Sequence, residues 1–276
     1  MKILLNLRKI KFWKSKQNSL LLLVSTFFIL VFSFPNLFAN YDPYQLEIVN
    51  RLQAPSKLHY FGTDEGGRDI FSRVIYGARD TIGATVIIVS FAAVVGTLIG
   101  AVSGWAGGRI DKYLMRFVDV FLSFPYLVLA MALAASLSRD LKSAVISLIL
   151  VWWPGFARLT RGQILSLKEQ LFVKASITLG ATSYQIIKWH LLPHVSRNIT
   201  VKATLDFGYA LIALTGLSFL GLGAQNPSTE WGLMISTARS YILFAWWYSL
   251  FPGLCIVAVV SFFIVTGDYL SKEKNE

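Results

Sequence analysis

The chain has 276 residues, 55% of them hydrophobic, 14% aromatic and only 15% charged. That balance excludes a globule in water, because the apolar surface is too large to bury, and it describes a polytopic membrane protein. The formal net charge of +11 requires no nucleic acid, since it is concentrated in loops beside apolar stretches, and the single Cys255 excludes a disulfide framework or a thiolate zinc cluster.

Six basic residues precede position 18 and an apolar stretch follows, the charge order of a signal peptide. Pro35-Asn36-Leu37-Phe38 offers no small-residue cleavage site, so an uncleaved first span is expected over 18–38. Next comes a polar stretch with its own punctuation. Thr63 and Asp64 suit a cap, Gly66-Gly67 a tight turn, and Asp69 an N-cap for Ile70, Phe71, Val74, Ile75 and Ala78, an apolar stripe expected to lie along the outer membrane face. Asp64, Glu65 and Asp69 form an alternative reading as an outward metal site of hard oxygen ligands.

Further apolar spans are expected over 81–104, 117–137, 142–157, 203–222 and 246–266, giving six in an all-α fold. The fourth is short, and charge parity argues that it crosses. With both termini inside, the inner segments hold three basic residues in 109–116, seven in 158–202 and two near the C-terminus, besides the first six. Were the fourth segment not to cross, the seven-charge loop would lie outside, against the positive-inside bias. Pro125, Pro154 and Pro252 are expected to kink three spans. Asp119 and Asp206 are the acids within spans. Asp206 follows Lys202 by four residues, which fits a local ion pair and leaves a substrate-ion site as the alternative.

The loop after the fourth span is the most informative. Ile164, Leu167, Leu171, Ala175 and Leu179 form a helical stripe that extends the span as an amphipathic helix. Gly180 supplies a left-handed cap, Thr182 and Gln185 a capping box for a second helix, and Pro193 its stop. A helix of about nine residues is marginal in water, so Ile186, Ile187, Trp189 and Leu191 need a support: the protein's own spans, lipid headgroups or a partner. An interfacial helix and a docking knob for a soluble protein both fit. Beyond it, Gly216, Gly221 and Gly223 are expected to allow close helix approach. Asn226-Pro227-Ser228 reads as a turn before Trp231, and Trp246, Trp247 and Tyr248 as an outer aromatic belt.

No Walker phosphate loop, His-Glu-x-x-His or Gly-x-Ser-x-Gly occurs, Gly107-Gly108-Arg109 opens no phosphate loop, and the three histidines are His59, His190 and His194. No catalytic constellation can be assembled, and nucleotide chemistry has to come from another polypeptide.

Four ordered stretches carry a resemblance. Ala175, Gly180 and Leu192-Pro193 match in spacing the Glu-Ala-Ala loop of ABC importer permeases. "FGTDEGGRDIFSRVIYGAR" (61–79), "GGRIDKYLMRFVDVFLSFP" (107–125) and "GLSFLGLGAQNPSTEWGLMI" (216–235) resemble the branch that imports peptides and nickel. The resemblance runs from about Tyr60 to Gly267. It implies a type I, MetI-like transmembrane domain over 81–267, preceded by a tail, first span and extracytoplasmic segment (1–80) and followed by a cytoplasmic tail (268–276). It further implies a bacterial inner-membrane permease without enzymatic activity, forming half of a pathway for nickel, nickel chelates or di- and oligopeptides. Its implied partners are a second homologous permease, two ATPase subunits that hold ATP and Mg, an extracytoplasmic binding protein and membrane lipid.

In that family the loop's short helix sits in a cleft of the ATPase, a role the resemblance carries to Lys174, Ala175, Ser176, Gly180, Thr182, Gln185, Leu192 and Pro193. The sequence departs from the pattern at Lys174 and Ser176, which stand where the motif has Glu and a second Ala, and at His190, where the family often has an apolar residue. Gly62, Thr63, Asp64, Gly67, Arg68, Asp69, Gly221, Gly223, Trp231 and Gly232 belong to the family's structural signatures. The loop's Ala175-Ser176, the compact length and the "RDIFSR" wording resemble the nickel branch slightly more. A self-sufficient carrier or channel, and a scaffold that does not transport, are the alternatives.

Overall fold

A computed structural model describes residues 23–26 and 30–272; the expected first span falls partly outside them. After single 3-10 turns at Pro35–Leu37 and Ile48–Asn50 the chain is helical: α1 (Ile70–Ala106), α2 (Gly108–Ser123), α3 (Tyr126–Ser136), α4 (Leu141–Lys168) and α5 (Leu171–Thr178). A short turn (Ser183–Gln185) and a π segment (Ile186–Leu191) lead into α6 (Leu192–Phe219), followed by α7 (Trp231–Ala238) and α8 (Trp247–Lys272). The described residues contain no strand beyond an isolated bridge between Thr63 and Asp69.

Among the described residues three helices, α1, α4 and α8, are long and apolar enough to cross a bilayer, and α2 with α3 makes a fourth if the pair, bent by 88°, is one span. The six expected are not confirmed, the first lying partly outside the described residues. A crossing needs about 20 apolar residues, and α6 carries Arg197, Lys202 and Asp206, leaving only the stretch after Asp206 uninterrupted by charge. The fourth expected span does gain the length it lacked in sequence, because α4 runs for 28 residues through Pro154. The stripe expected on the outer membrane face is also corrected. It forms the first turns of α1, and Ile70, Val74 and Ala78 are buried in the protein core.

The core is organised by the seam between α1 and α4. A Cβ on Gly96 would stand 2.3 Å from the Trp153 carbonyl oxygen, one on Gly100 2.4 Å from that of Ala157, and one on Gly104 3.0 Å from that of Arg161. Both rows advance four residues at a time, so one face of α1 lies directly on one face of α4. Ala84, Ile88 and Ala92 continue the same α1 row into the core. At the far end of the seam the backbones are tied by polar groups. Arg161 donates to both carboxylate oxygens of Asp111, 2.6 Å for the Nη2 arm, and Lys168 Nζ donates to the Trp105 carbonyl at 2.7 Å.

The seam makes a direct stability prediction. Gly100→Val should push the helices apart at an overpacking cost of about 1–3 kcal/mol, read as a lower Tm for the purified protein in detergent. Gly162→Ala, in the same α4 but with nothing within 4 Å of its would-be Cβ, should leave the Tm unchanged or raise it, since Ala is the better helix former. Equal shifts for the two would refute the seam.

Candidate functional site

The loop between α4 and α6 is a hairpin built by local chemistry. The helix does not run from Gln163 to Leu179 as the stripe implies. It ends at Lys168, the Gln170 N–H bonds back to the Leu167 carbonyl, and α5 restarts at Leu171. Gly180, at φ +83°, closes α5 with a Schellman pair: its N–H donates to the Ile177 carbonyl (3.0 Å) and that of Ala181 to Ser176 (3.1 Å). An L-residue with a side chain is disfavoured at that φ. The capping box follows, the Gln185 N–H donating to Thr182 Oγ1 (3.3 Å) and the Thr182 N–H to Gln185 Oε1 (2.8 Å).

Pro193 does not stop the second helix. It occupies the first turn of α6, and the chain stays helical from Ser183 to Phe219 by widening into the π segment just before it. A proline inside a helix donates no N–H and crowds the preceding turn, and the wider π turn directly before Pro193 is where the helical ladder accommodates it. The support for the short helix is divided. Val173, Ile186, Leu191 and Val195 are buried together with Ile164 of α4 and Ala101 of α1. On the opposite side Leu171 (84%), Leu179 (87%), Tyr184 (68%) and Trp189 (66%) are exposed, with the Lys188 ammonium over both of the last two rings.

Lys174, Ala175, Gly180, Thr182, Gln185 and Pro193 all lie exposed on this hairpin, with Ser176 and Leu192 half-buried. Lys174 pairs with Glu169 at 3.0 Å, both side chains largely in solvent. His190 is half-buried, and His194 is exposed and stacks on Phe172 at 5.1 Å.

The signature residues at the other end of α1 form a separate knot. Asp69 caps α1 by accepting from the Ser72 N–H at 2.7 Å, and its second oxygen meets His59 Nδ1 at 2.9 Å. Asp64 accepts from Arg68 Nε (2.7 Å) and from the backbone N–H groups of Gly66 and Arg68. Burial pushes its carboxyl above the usual range, against the pull of Arg73 and Arg68. Glu65 takes Arg68 at 2.8 Å and the Tyr248 hydroxyl at 2.7 Å. The acids considered as metal ligands thus spend their oxygens on protein donors. Gly67, at φ +75°, has the Glu47 carbonyl where a Cβ would be, and Trp247 packs on Gly62 and Thr63.

Trp247 and Tyr248 are therefore core residues, and only Trp246 of the expected belt is exposed. The second signature joins the same knot. Arg73 donates to the Pro43 and Ser228 carbonyls, Trp231 Nε1 donates to the Val74 carbonyl at 3.0 Å, and Glu230 caps α7 through the N–H groups of Gly232 and Leu233. The glycines divide against expectation. Gly232 lies on the Thr215 backbone, whereas Gly221 (φ +79°) ends α6 in a turn, Gly223 folds back on Ser218, and Gly216 faces open space.

One feature had only a partial sequence signal. An open cleft of about 330 Å³ lies between the α2–α3 break, α4 and α6, bordered by Tyr126, Trp152, Gly155, Lys202, Asp206 and Tyr209. The Lys202–Asp206 spacing pointed to it, but the aromatic walls come from helices far apart in sequence.

Known proteins match this geometry. The family described as binding-protein-dependent transport system inner membrane component matches residues 96–274. The chain is 42% identical over 240 residues to the probable D,D-dipeptide transport system permease protein DdpC of Escherichia coli strain K12, covering 87% of this chain and 80% of that one. It is 42% identical to the dipeptide transport system permease protein DppC of Alkalihalophilus pseudofirmus (90% and 82% covered). With the nickel transport system permease protein NikC of Escherichia coli strain K12 the identity is 36% (83% of each). An inward-facing structure of the MetNI methionine ABC transporter superposes with a TM-score of 0.61 at 20% identity, over 72% of this chain and 95% of that one, which shows a shared fold. The chain belongs to the family of binding-protein-dependent transport system inner membrane components, and it is a membrane-spanning permease subunit of an ABC importer.

Proposed function

We propose that this chain is one of two non-identical permeases of an importer for small peptides, with both termini cytoplasmic and the α4–α6 hairpin as its contact with the ATPase subunits. The observation that carries the reading is the two-sided hairpin. Its inner face is locked to α1, α4 and α6 through Ala101, Ile164 and Val195, while its outer face leaves Leu179, Tyr184 and Trp189 in solvent. Exposed aromatic anchors on a rigid, capped element fit a protein partner better than water. The basic charge of the 158–202 segment favours a cytoplasmic address. Peptides are favoured over nickel because the two dipeptide relatives share 42% of aligned residues and the nickel relative 36%.

On this reading an extracytoplasmic binding protein delivers the cargo, and ATP with Mg is held by the ATPases alone. Partner motion presses on Trp189 and Leu179, and the buried side of the hairpin passes it to three helices. Lys174 supplies its own answer to the charge reversal at the motif, since its partner Glu169 lies in the same chain. An exposed pair of this kind contributes about 0–1 kcal/mol, so losing it costs the hairpin little stability.

Three outcomes test the proposal in proteoliposomes holding the assembled importer. Uptake should stop when the ATPase Walker lysine is replaced; persistent uptake would identify a self-sufficient carrier instead. Gly180→Val forces a side chain into left-handed backbone at about 1–2 kcal/mol and should lower ATPase co-purification or substrate-stimulated turnover by about tenfold. Unchanged values for both would remove the hairpin from coupling. Lys174→Ala should couple like the wild type, and a loss comparable to that of Gly180→Val would show that the lysine contacts the ATPase directly.

A further inference from the structure

The cleft holds charges with valence to spare. Lys202 Nζ meets Asp206 Oδ2 at 2.9 Å, and the Trp152 indole N–H donates to the same oxygen at 3.2 Å. Asp206 Oδ1 accepts no hydrogen bond from any described residue. Lys202 spends one ammonium donor on Asp206 and sits 5.0 Å over the Phe156 ring. The side chains are 29% and 14% exposed. Charges so placed along apolar helices are costly unless paired and hydrogen-bonded, and this pair is half satisfied on each side, facing the cleft.

The surrounding backbone is broken at the same level. Tyr126 is the first residue after the 88° bend between α2 and α3, and its ring meets Trp152 edge-on at 5.2 Å. Pro154 lies within the continuous α4, between Trp152 and Gly155, where it leaves the helix one backbone donor short. Interrupted helices at membrane depth are stable where they line a cavity or pathway. A volume of about 330 Å³ suits a small organic ligand.

We propose that this cleft is a substrate-contact site of the translocation pathway for a peptide with free termini, its ammonium on Asp206 Oδ1, its carboxylate on Lys202, and its side chains against Tyr126, Trp152 and Tyr209. The proposal rests on the peptide-importer reading and adds the residues that hold the peptide's two termini. A bare divalent cation is disfavoured here. It would find one carboxylate already paired with an ammonium, and neither His nor Cys borders the cleft.

The test uses the complete importer in proteoliposomes, with a labelled dipeptide and free Ni²⁺ as separate cargoes and ATP turnover stimulated by loaded binding protein as the second readout. Asp206→Asn and Lys202→Gln should each lower dipeptide uptake by about tenfold, the loss of one charge-assisted hydrogen bond, while stimulated turnover stays within about twofold of wild type. The exchanged pair, Lys202→Asp with Asp206→Lys, restores the ion pair but reverses it against the aromatic walls, so uptake should stay low. Should the charge variants fail to assemble, Tyr209→Arg, at an exposed position on the same cleft, should give the same separation of uptake from turnover. Restored uptake in the exchanged pair would show a purely structural ion pair and overturn the proposal. Unchanged uptake in the single variants, or a wild-type importer that carries Ni²⁺ and not the dipeptide, would also overturn it. Uptake of the dipeptide by the wild type without ATP turnover would instead defeat the importer reading and leave the cleft's ligand class standing.

Discussion

The close approach of α1 to α4 is the constraint on which the other elements depend. With glycine at 96, 100 and 104, the α1 backbone lies against the carbonyls of Trp153, Ala157 and Arg161, too near at 96 and 100 for any side chain and tight at 104. Small-residue contact of this kind lets van der Waals packing hold helices together where lipid gives no hydrophobic driving force. Because two successive four-residue rows interlock, α4 has little freedom to slide or turn on α1. Every functional feature is then referred to one rigid pair. The hairpin leaves the end of α4, the cleft opens on its other face, and the signature knot is wrapped around the start of α1.

The knot and the hairpin are opposite solutions to ending a helix pair. At the knot, polar groups are taken inside: Arg73 is fully buried, its two terminal nitrogens donating to the Pro43 and Ser228 carbonyls while its Nε, 3.4 Å from Asp64, makes no hydrogen bond among the described residues. Removing any one partner would strand a buried charge, which makes such networks stiff. At the hairpin one apolar face is left outside, and stiffness comes from the caps together with the buried face of Val173, Ile186, Leu191 and Val195. One end resists motion, and the other offers a handle.

Features written in neighbouring residues were legible in the sequence. The Thr182–Gln185 box, the Gly180 turn, the Asp69 cap and the Lys202–Asp206 pair each depend on spacings of five residues or fewer, and each is present. The ordered motifs also located the family. Features set by distant residues were hidden. Nothing near Trp247 and Tyr248 shows that Gly62 and Glu65 await them, so an aromatic run reads as a membrane belt when it is core. Pro193 read as a stop because helix rules describe α-geometry, and the π segment before it lies outside those rules. The stripe from Ile164 to Leu179 had the right period, but Glu169-Gln170 turns the chain, leaving Leu171 in solvent. The Gly96-Gly100-Gly104 row was present in the sequence at four-residue spacing, and a search for small-residue repeats would have found the seam.

The continuity of α6 with the hairpin bears most on mechanism. From Ser183 the chain stays helical through the π segment to Phe219, so no loop separates the exposed Trp189 from the Lys202–Asp206 pair. At 1.5 Å per residue, Asp206 lies about 21 Å along the helix from Leu192. A displacement of the hairpin is therefore delivered to the cleft as a rigid translation or rotation of α6, undiminished by a flexible link. The π segment is the one irregular turn on that path, a form that occurs mostly as single turns within α-helices, often at functional sites. Trp152, anchored on the rigid α4, is then the fixed reference against which Lys202 and Asp206 move. Its hydrogen bond to Asp206 is the contact that such a motion would break first, opening the carboxylate to the cleft.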